Sequence, residues 1–120
     1  MKSLIAGHIT QEGIPAIDIQ IGNQAWRAII DTGFNGDLEL PEPLRSYVNA
    51  RFVGRVGSLL AANQRIEEDV FLVDFPFDSR TVRAQATFTE ENDILIGTGM
   101  LRDYRLMVDF RKNIVVIDKP

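Results

Sequence analysis

Ala28-Ile29-Ile30-Asp31-Thr32-Gly33-Phe34-Asn35-Gly36 is the stretch on which the fold turns. An apolar run ends in an aspartate followed at once by threonine and glycine, the pattern of a buried strand that runs into a tight polar turn. Taken alone, Asp-Thr-Gly is no more than a strand-ending turn, since Asp and Gly both favour turns. Its context separates it from that reading. Further along, Ile94-Leu95-Ile96-Gly97 is a second apolar run that also stops at glycine. Without a polar interruption it reads as a strand covered on both sides. The chain holds a single Asp-Thr-Gly; its nearest imitation, Asp78-Ser79-Arg80, lacks the glycine.

Around these two runs, alternation dominates. Ile17, Ile19 and Ile21 point one way and Asp18 and Gln20 the other, as in a half-buried strand. Gly22-Asn23 supplies a hairpin turn, and residues 26–30 return as a second strand. Leu38-Glu39-Leu40 is a short strand stopped by Pro41, and residues 41–49 suit one or two short helical turns. Residues 52–60 and 65–75 read as the arms of a long hairpin with a small, polar tip around Ala61-Ala62-Asn63-Gln64. Pro76-Phe77-Asp78-Ser79 is expected to be a turn. Residues 81–89 alternate with Val82, Ala84, Ala86 and Phe88 on one face. Residues 99–104 suit a short helix, and residues 106–110 and 114–117 a final hairpin over Arg111-Lys112-Asn113. Many short strands separated by turns predict one closed or nearly closed all-β domain over residues 1–120, with no linker and no repeat.

Composition sets outer bounds. The chain of 120 residues is 45% hydrophobic and 25% charged, enough to bury a core. A net charge of -4 argues against nucleic acid or an anionic membrane surface as a partner. With no cysteine there is no disulfide, thiol nucleophile or Cys-based metal site. A single histidine, His8, makes a Ser-His-Asp triad a poor fit and a His-rich metal site impossible; no metal and no cofactor are expected. Leu4-Ile5-Ala6 is too short for a secretory apolar segment, and no run approaches a membrane span, so the expected location is the cytoplasm.

Ile29-Ile30-Asp31-Thr32-Gly33, the hairpin centred on Ala62-Asn63, and Ile94-Leu95-Ile96-Gly97 with Met100-Leu101 resemble the retropepsin-like (clan AA) aspartic proteases. Phe34, and Leu106-Met107-Val108-Asp109-Phe110 near the end, are similar to a prokaryotic Asp-Thr-Gly-Phe branch of that clan. The resemblance spans roughly residues 15–117 in the right order. It implies a retropepsin-like closed β fold with a flap hairpin and one or two short helices, active as a symmetric homodimer on a peptide or protein substrate. It makes Asp31 the catalytic carboxylate, Thr32 the source of interlocking hydrogen bonds between two such loops, and Gly33 the point of close backbone approach. It makes Phe34 part of the cleft and Leu60, Ala61, Ala62, Asn63 and Gln64 the flap tip over the substrate. Chemistry supports the pairing of chains: peptide hydrolysis by carboxylates needs one as base and one, protonated, as acid. Retroviral members carry an ion pair where this chain has Asn35 and Thr98, so a neutral Asn35–Thr98 contact is expected.

Other residues have plainer readings. Trp26 is expected in the core or an interface, and His8 on a strand surface. Glu67-Glu68-Asp69 and Glu90-Glu91-Asn92-Asp93 are expected as solvated strand ends and loops, and Arg102, Arg105, Arg111 and Lys112 as a solvated face. Two functions remain open: an aspartic endopeptidase, or a catalytically inactive module of the same fold that binds peptides or proteins.

Overall fold

The computed structural model describes residues 3–59 and 65–120. Its strands are β1 (Ser3–Ile9), β2 (Pro15–Ile21), β3 (Gln24–Ile30), β4 (Leu38–Pro41), β5 (Arg51–Leu59), β6 (Arg65–Phe77), β7 (Arg80–Thr89), β8 (Ile94–Ile96), β9 (Arg105–Asp109) and β10 (Ile114–Lys119). They form one sheet in the order β5-β6-β7-β4-β8-β3-β2-β1-β10-β9. The sheet bends around the core but no ladder joins β5 to β9, so it stays unclosed where closure was expected. Its two edges are β5, which pairs only with β6, and β9, which pairs only with β10. Two 3₁₀ helices, Glu42–Tyr47 and Thr98–Leu101, are the helical elements among the described residues. No described helix is long and apolar enough to cross a membrane.

The core follows the alternation. Ile17, Ile19 and Ile21 on β2 and Ala28 and Ile30 on β3 are buried together with Leu38, Leu40, Val73, Phe75, Ile94, Ile96 and Ile117. Fully burying one such large side chain favours the folded state by roughly 1.5–3 kcal/mol. Trp26 packs, half-buried, against this cluster, as expected.

The expected turn at residues 76–79 is narrower than read. β6 continues through Pro76 and Phe77, paired with Thr81 and Arg80, and the turn is Asp78-Ser79, with φ 57° and 59° at the two residues. Proline is tolerated there because β6 is by then an edge strand, where a missing N–H costs no ladder bond on the open side. The sequence reading placed His8 on a strand but gave neither the extent nor the partners of β1. It pairs with β10 over Ser3–Gly7 and then with β2 through His8 and Ile9, and so joins the two ends of the domain.

One crossing positions the site. β8 lies between the consecutive strands β3 and β4, parallel to the first and antiparallel to the second. Residues 31–37 must therefore pass over the end of β8 to reach β4. This brings Asp31-Thr32-Gly33 and Ile96-Gly97 to the same end of the sheet.

Candidate active site

Asp31 sits where β3 leaves the sheet. Its N–H donates to the Ile96 carbonyl at 2.9 Å, which extends the β3–β8 pairing by one bond. Its Oδ1 accepts the Gly33 N–H at 2.9 Å, and its carbonyl accepts the Phe34 N–H at 3.2 Å. The carboxylate is thus held by its own turn. Asp31 is half-buried while Thr32 and Gly33 are exposed. Among the described residues, Asp31 Oδ2 and the Thr32 hydroxyl have no hydrogen-bond partner, so both can bond to a substrate, a water or another chain.

The loop is fastened to the end of β8 by backbone. Gly97 N–H donates to the Asp37 carbonyl (2.9 Å), Thr98 N–H to the Phe34 carbonyl (2.8 Å) and Gly99 N–H to the Gly36 carbonyl (3.0 Å). The Thr98 hydroxyl also reaches the Phe34 carbonyl, at 3.4 Å. The expected Asn35–Thr98 contact is therefore replaced. Thr98 bonds the main chain one residue earlier, and Asn35 is exposed. Gly97 is glycine for a steric reason. A Cβ there would fall well inside contact distance of the Gly36 carbonyl oxygen, 2.6 Å from the Phe34 ring and 2.7 Å from the Phe34 carbonyl oxygen.

Sequence reasoning missed Asp37, Glu39 and Glu68. Asp37 is structural: its Oδ2 accepts the Gln85 N–H at 3.0 Å, tying the loop to β7. Glu39 pairs in register with Leu95 on β8 and Thr87 on β7, while its neighbours Leu38 and Leu40 are in the core, so Glu39 stands on the opposite face of the sheet. Burial pushes the Glu39 carboxyl above the usual carboxylate range, and the nearby charges of Glu68, Asp31 and Glu91 push it the same way. Phe34, Glu39 and Glu68 line a cleft of about 260 Å³ beneath the β5–β6 hairpin. The acid after Leu38 in a short buried strand was the available signal for Glu39; Glu68 was hidden in an ordinary-looking acidic run.

The remaining expectations fall as follows. Phe34 lines the cleft of about 260 Å³. Leu60, Ala61, Ala62, Asn63 and Gln64 lie outside the described residues, whereas the arms of their hairpin pair from Arg51↔Leu72 to Leu59↔Arg65. Glu67 and Asp69 are not simply solvated: Arg55 reaches both, at 3.5 and 3.0 Å. Asp93 holds Arg27 through two bonds of 3.2 and 2.8 Å. Arg105 holds the buried Asp118 through bonds of 3.1 and 2.7 Å. No cluster of metal-ligating side chains is found among the described residues.

A β sheet with a strand threaded between two consecutive strands, and an Asp-Thr-Gly turn at the crossing, has the architecture of retropepsin-like proteases. Solved structures agree. A retropepsin-like aspartic protease from Rickettsia conorii matches with a TM-score of 0.70 at 13% identity, over 99% of this chain and 92% of that one. The simian foamy virus protease matches with a TM-score of 0.57 at 17% identity, over 72% and 91%. The protease of EIAV, solved with the inhibitor HBY-793, matches with a TM-score of 0.56 at 16% identity, over 78% and 90%. The fold of this chain is therefore retropepsin-like. No protein-family model and no curated protein sequence matches it.

Proposed function

We propose that this protein is an aspartic endopeptidase in which the Asp31 carboxylates of two identical chains share one active site. The observation that carries the reading is the state of Asp31. It closes a strand at the sheet crossing, with Oδ1 occupied by its own turn and Oδ2 open among the described residues. One chain supplies one such group, and acid–base hydrolysis needs two, so the stoichiometry calls for a two-fold dimer.

Two carboxylates within about 3 Å cannot both ionise, so the pair holds one proton between them. The ionised member takes a proton from water as the water oxygen bonds to the peptide carbonyl carbon. The protonated member gives its proton to the carbonyl oxygen, forming a neutral gem-diol. Collapse re-forms the carbonyl, breaks the C–N bond and delivers a proton to the leaving amine. In this reading Thr32 bonds across the dimer axis and holds the two loops in register. Gly33 leaves room for substrate backbone.

A peptide-library cleavage assay from acidic to neutral pH, with Asp31→Asn as control, tests the proposal. Cleavage by the wild type that disappears in a folded Asp31→Asn protein supports it. Equal turnover in Asp31→Asn rules out the mechanism. Peptide binding by the wild type without cleavage at any pH would instead establish the non-enzymatic module.

A further inference from the structure

The cleft beneath the β5–β6 hairpin is lined by both carbon surface and acidic side chains. Phe34, Val56 and Val70 supply carbon surface, and Glu39, Glu68 and Asp37 supply the charges; no lysine or arginine lines it. Asp37 is spent on the Gln85 N–H. Glu39 and Glu68 accept no hydrogen bond from, and form no ion pair with, any described residue. Their mutual repulsion is unrelieved, and it falls on a carboxyl already partly withdrawn from water.

This arrangement depends on a bulge. The β5–β6 register shifts between Phe52 and Gly54: Phe52 faces Phe71, but Gly54 faces Val70. The extra residue moves every later β5 side chain to the other face. Val56 therefore opposes Glu68 on the cleft side, while Arg55 turns away to pair with Glu67 and Asp69. Without the bulge, Arg55 would stand opposite Glu68. The chain carries a cation suited to neutralise the cleft, and the fold directs it elsewhere.

On the basis of the peptidase reading of this same site, we infer that the cleft lined by Phe34, Val56, Val70, Glu39 and Glu68 receives a lysine or arginine side chain of the substrate. A long cationic side chain fits both halves, with its methylene stem against the carbon surface and its charged head between the two carboxylates. An apolar side chain would leave both carboxylates unpaired and draw the half-buried Glu39 further from water, and an acidic one would add a third like charge. Such penalties on the wrong partner are a main source of specificity.

The test has a cleavage arm and a binding arm. In the first, wild type, Glu39→Gln, Glu68→Gln and the double variant act on mixed decapeptides, and cleavage positions are read by mass spectrometry. One substrate position should favour Lys or Arg over norleucine by about tenfold or more in kcat/KM, the effect of one well-placed charge-assisted contact. That ratio should fall toward unity in the double variant. In the second, Asp31→Asn binds two labelled decapeptides that differ only in lysine or norleucine at the position found. Where nothing is cleaved, every position is scanned. Tighter binding of a lysine peptide that is lost with Glu39→Gln supports the cleft assignment even if nothing is cleaved, in which case only the peptidase reading falls. Asp31-dependent cleavage indifferent to charge overturns the assignment and leaves the peptidase reading standing. Absence of both cleavage and charge-dependent binding overturns both.

Discussion

Gly97→Ala should dismantle the site from beneath. The added methyl would meet the Gly36 carbonyl oxygen inside contact distance and lie 2.6 Å from the Phe34 ring. A ring can rotate away, but a carbonyl fixed in a hydrogen-bonded loop cannot. Relief therefore requires residues 34–37 to lift from β8. That puts at risk the bonds from Gly97 to Asp37, Thr98 to Phe34 and Gly99 to Gly36. Overpacking alone costs about 1–3 kcal/mol, and each lost backbone bond adds about 1 kcal/mol. With partial relaxation, a loss of roughly 2–5 kcal/mol is expected, a large part of the ~5–15 kcal/mol that holds a domain of this kind together. The melting temperature should fall on the order of 10–20 °C. Calorimetry and urea titration would measure this, with Gly57→Ala as the comparator, because a Cβ at Gly57 meets nothing within 4 Å. The comparator should stay within about 0.5 kcal/mol of wild type. Adding Phe34→Ala should not rescue Gly97→Ala, because the decisive clash is with backbone. Equal stability of Gly97→Ala and Gly57→Ala, or full rescue by Phe34→Ala, would refute the steric argument.

Further outcomes are expected. Phe75→Ala, which empties a fully buried core position, should cost about 3–5 kcal/mol in a urea titration. The raised Glu39 carboxyl binds its proton more tightly in the folded state, so its contribution to stability is present below the unfolded value and lost as pH rises through the folded one. Glu39→Gln should thus gain on wild type in urea midpoint between pH 4 and pH 7, and a constant difference would contradict the assignment. Specific activity should rise with protein concentration through the dimerisation range, and excess Asp31→Asn should poison the wild type, because a mixed dimer holds one competent aspartate. Asp109→Asn and Asp118→Asn should keep the cleavage chemistry in a peptide assay, and Asp118→Asn should lower the melting temperature by loosening the Arg105 pair.

Much of the fold was legible because its signals are local. The alternation of Ile17, Ile19 and Ile21 and the uninterrupted Ile94-Leu95-Ile96 each report burial directly, and Gly22-Asn23 reports a turn. The Asp31 turn was legible as well, since its main internal bonds connect residues two and three apart. The extent of β1 beyond His8 was not, because Gly7 and His8 interrupt its pattern, and its place depends on β10 at the far end of the chain. A Cβ at Gly7 would lie 2.7 Å from the Ile17 side chain. That glycine, which looks like a strand breaker in sequence, is instead required by the packing of β1 on β2. Pro76 misled in the same way, as a turn former that sits in an edge strand.

The acidic cleft was hidden for a sharper reason. Alternation reports which residues share a face only while the register is unbroken, and β5 breaks it between Phe52 and Gly54. Read with unbroken alternation, Arg55 falls opposite Glu68 and the Glu67-Glu68-Asp69 run is an ordinary salt-bridged strand end. With one residue inserted, Arg55 pairs with Glu67 and Asp69, and Glu68 faces the cleft without an ion pair to any described residue. Gly54, at φ 154°, occupies backbone space that favours glycine and sits where the shift occurs. The charge of the cleft is thus set by a backbone irregularity more than by composition. A homologue with the same acids but no bulge would pair Glu68 with its arginine, and its cleft would lack the preference inferred for this one.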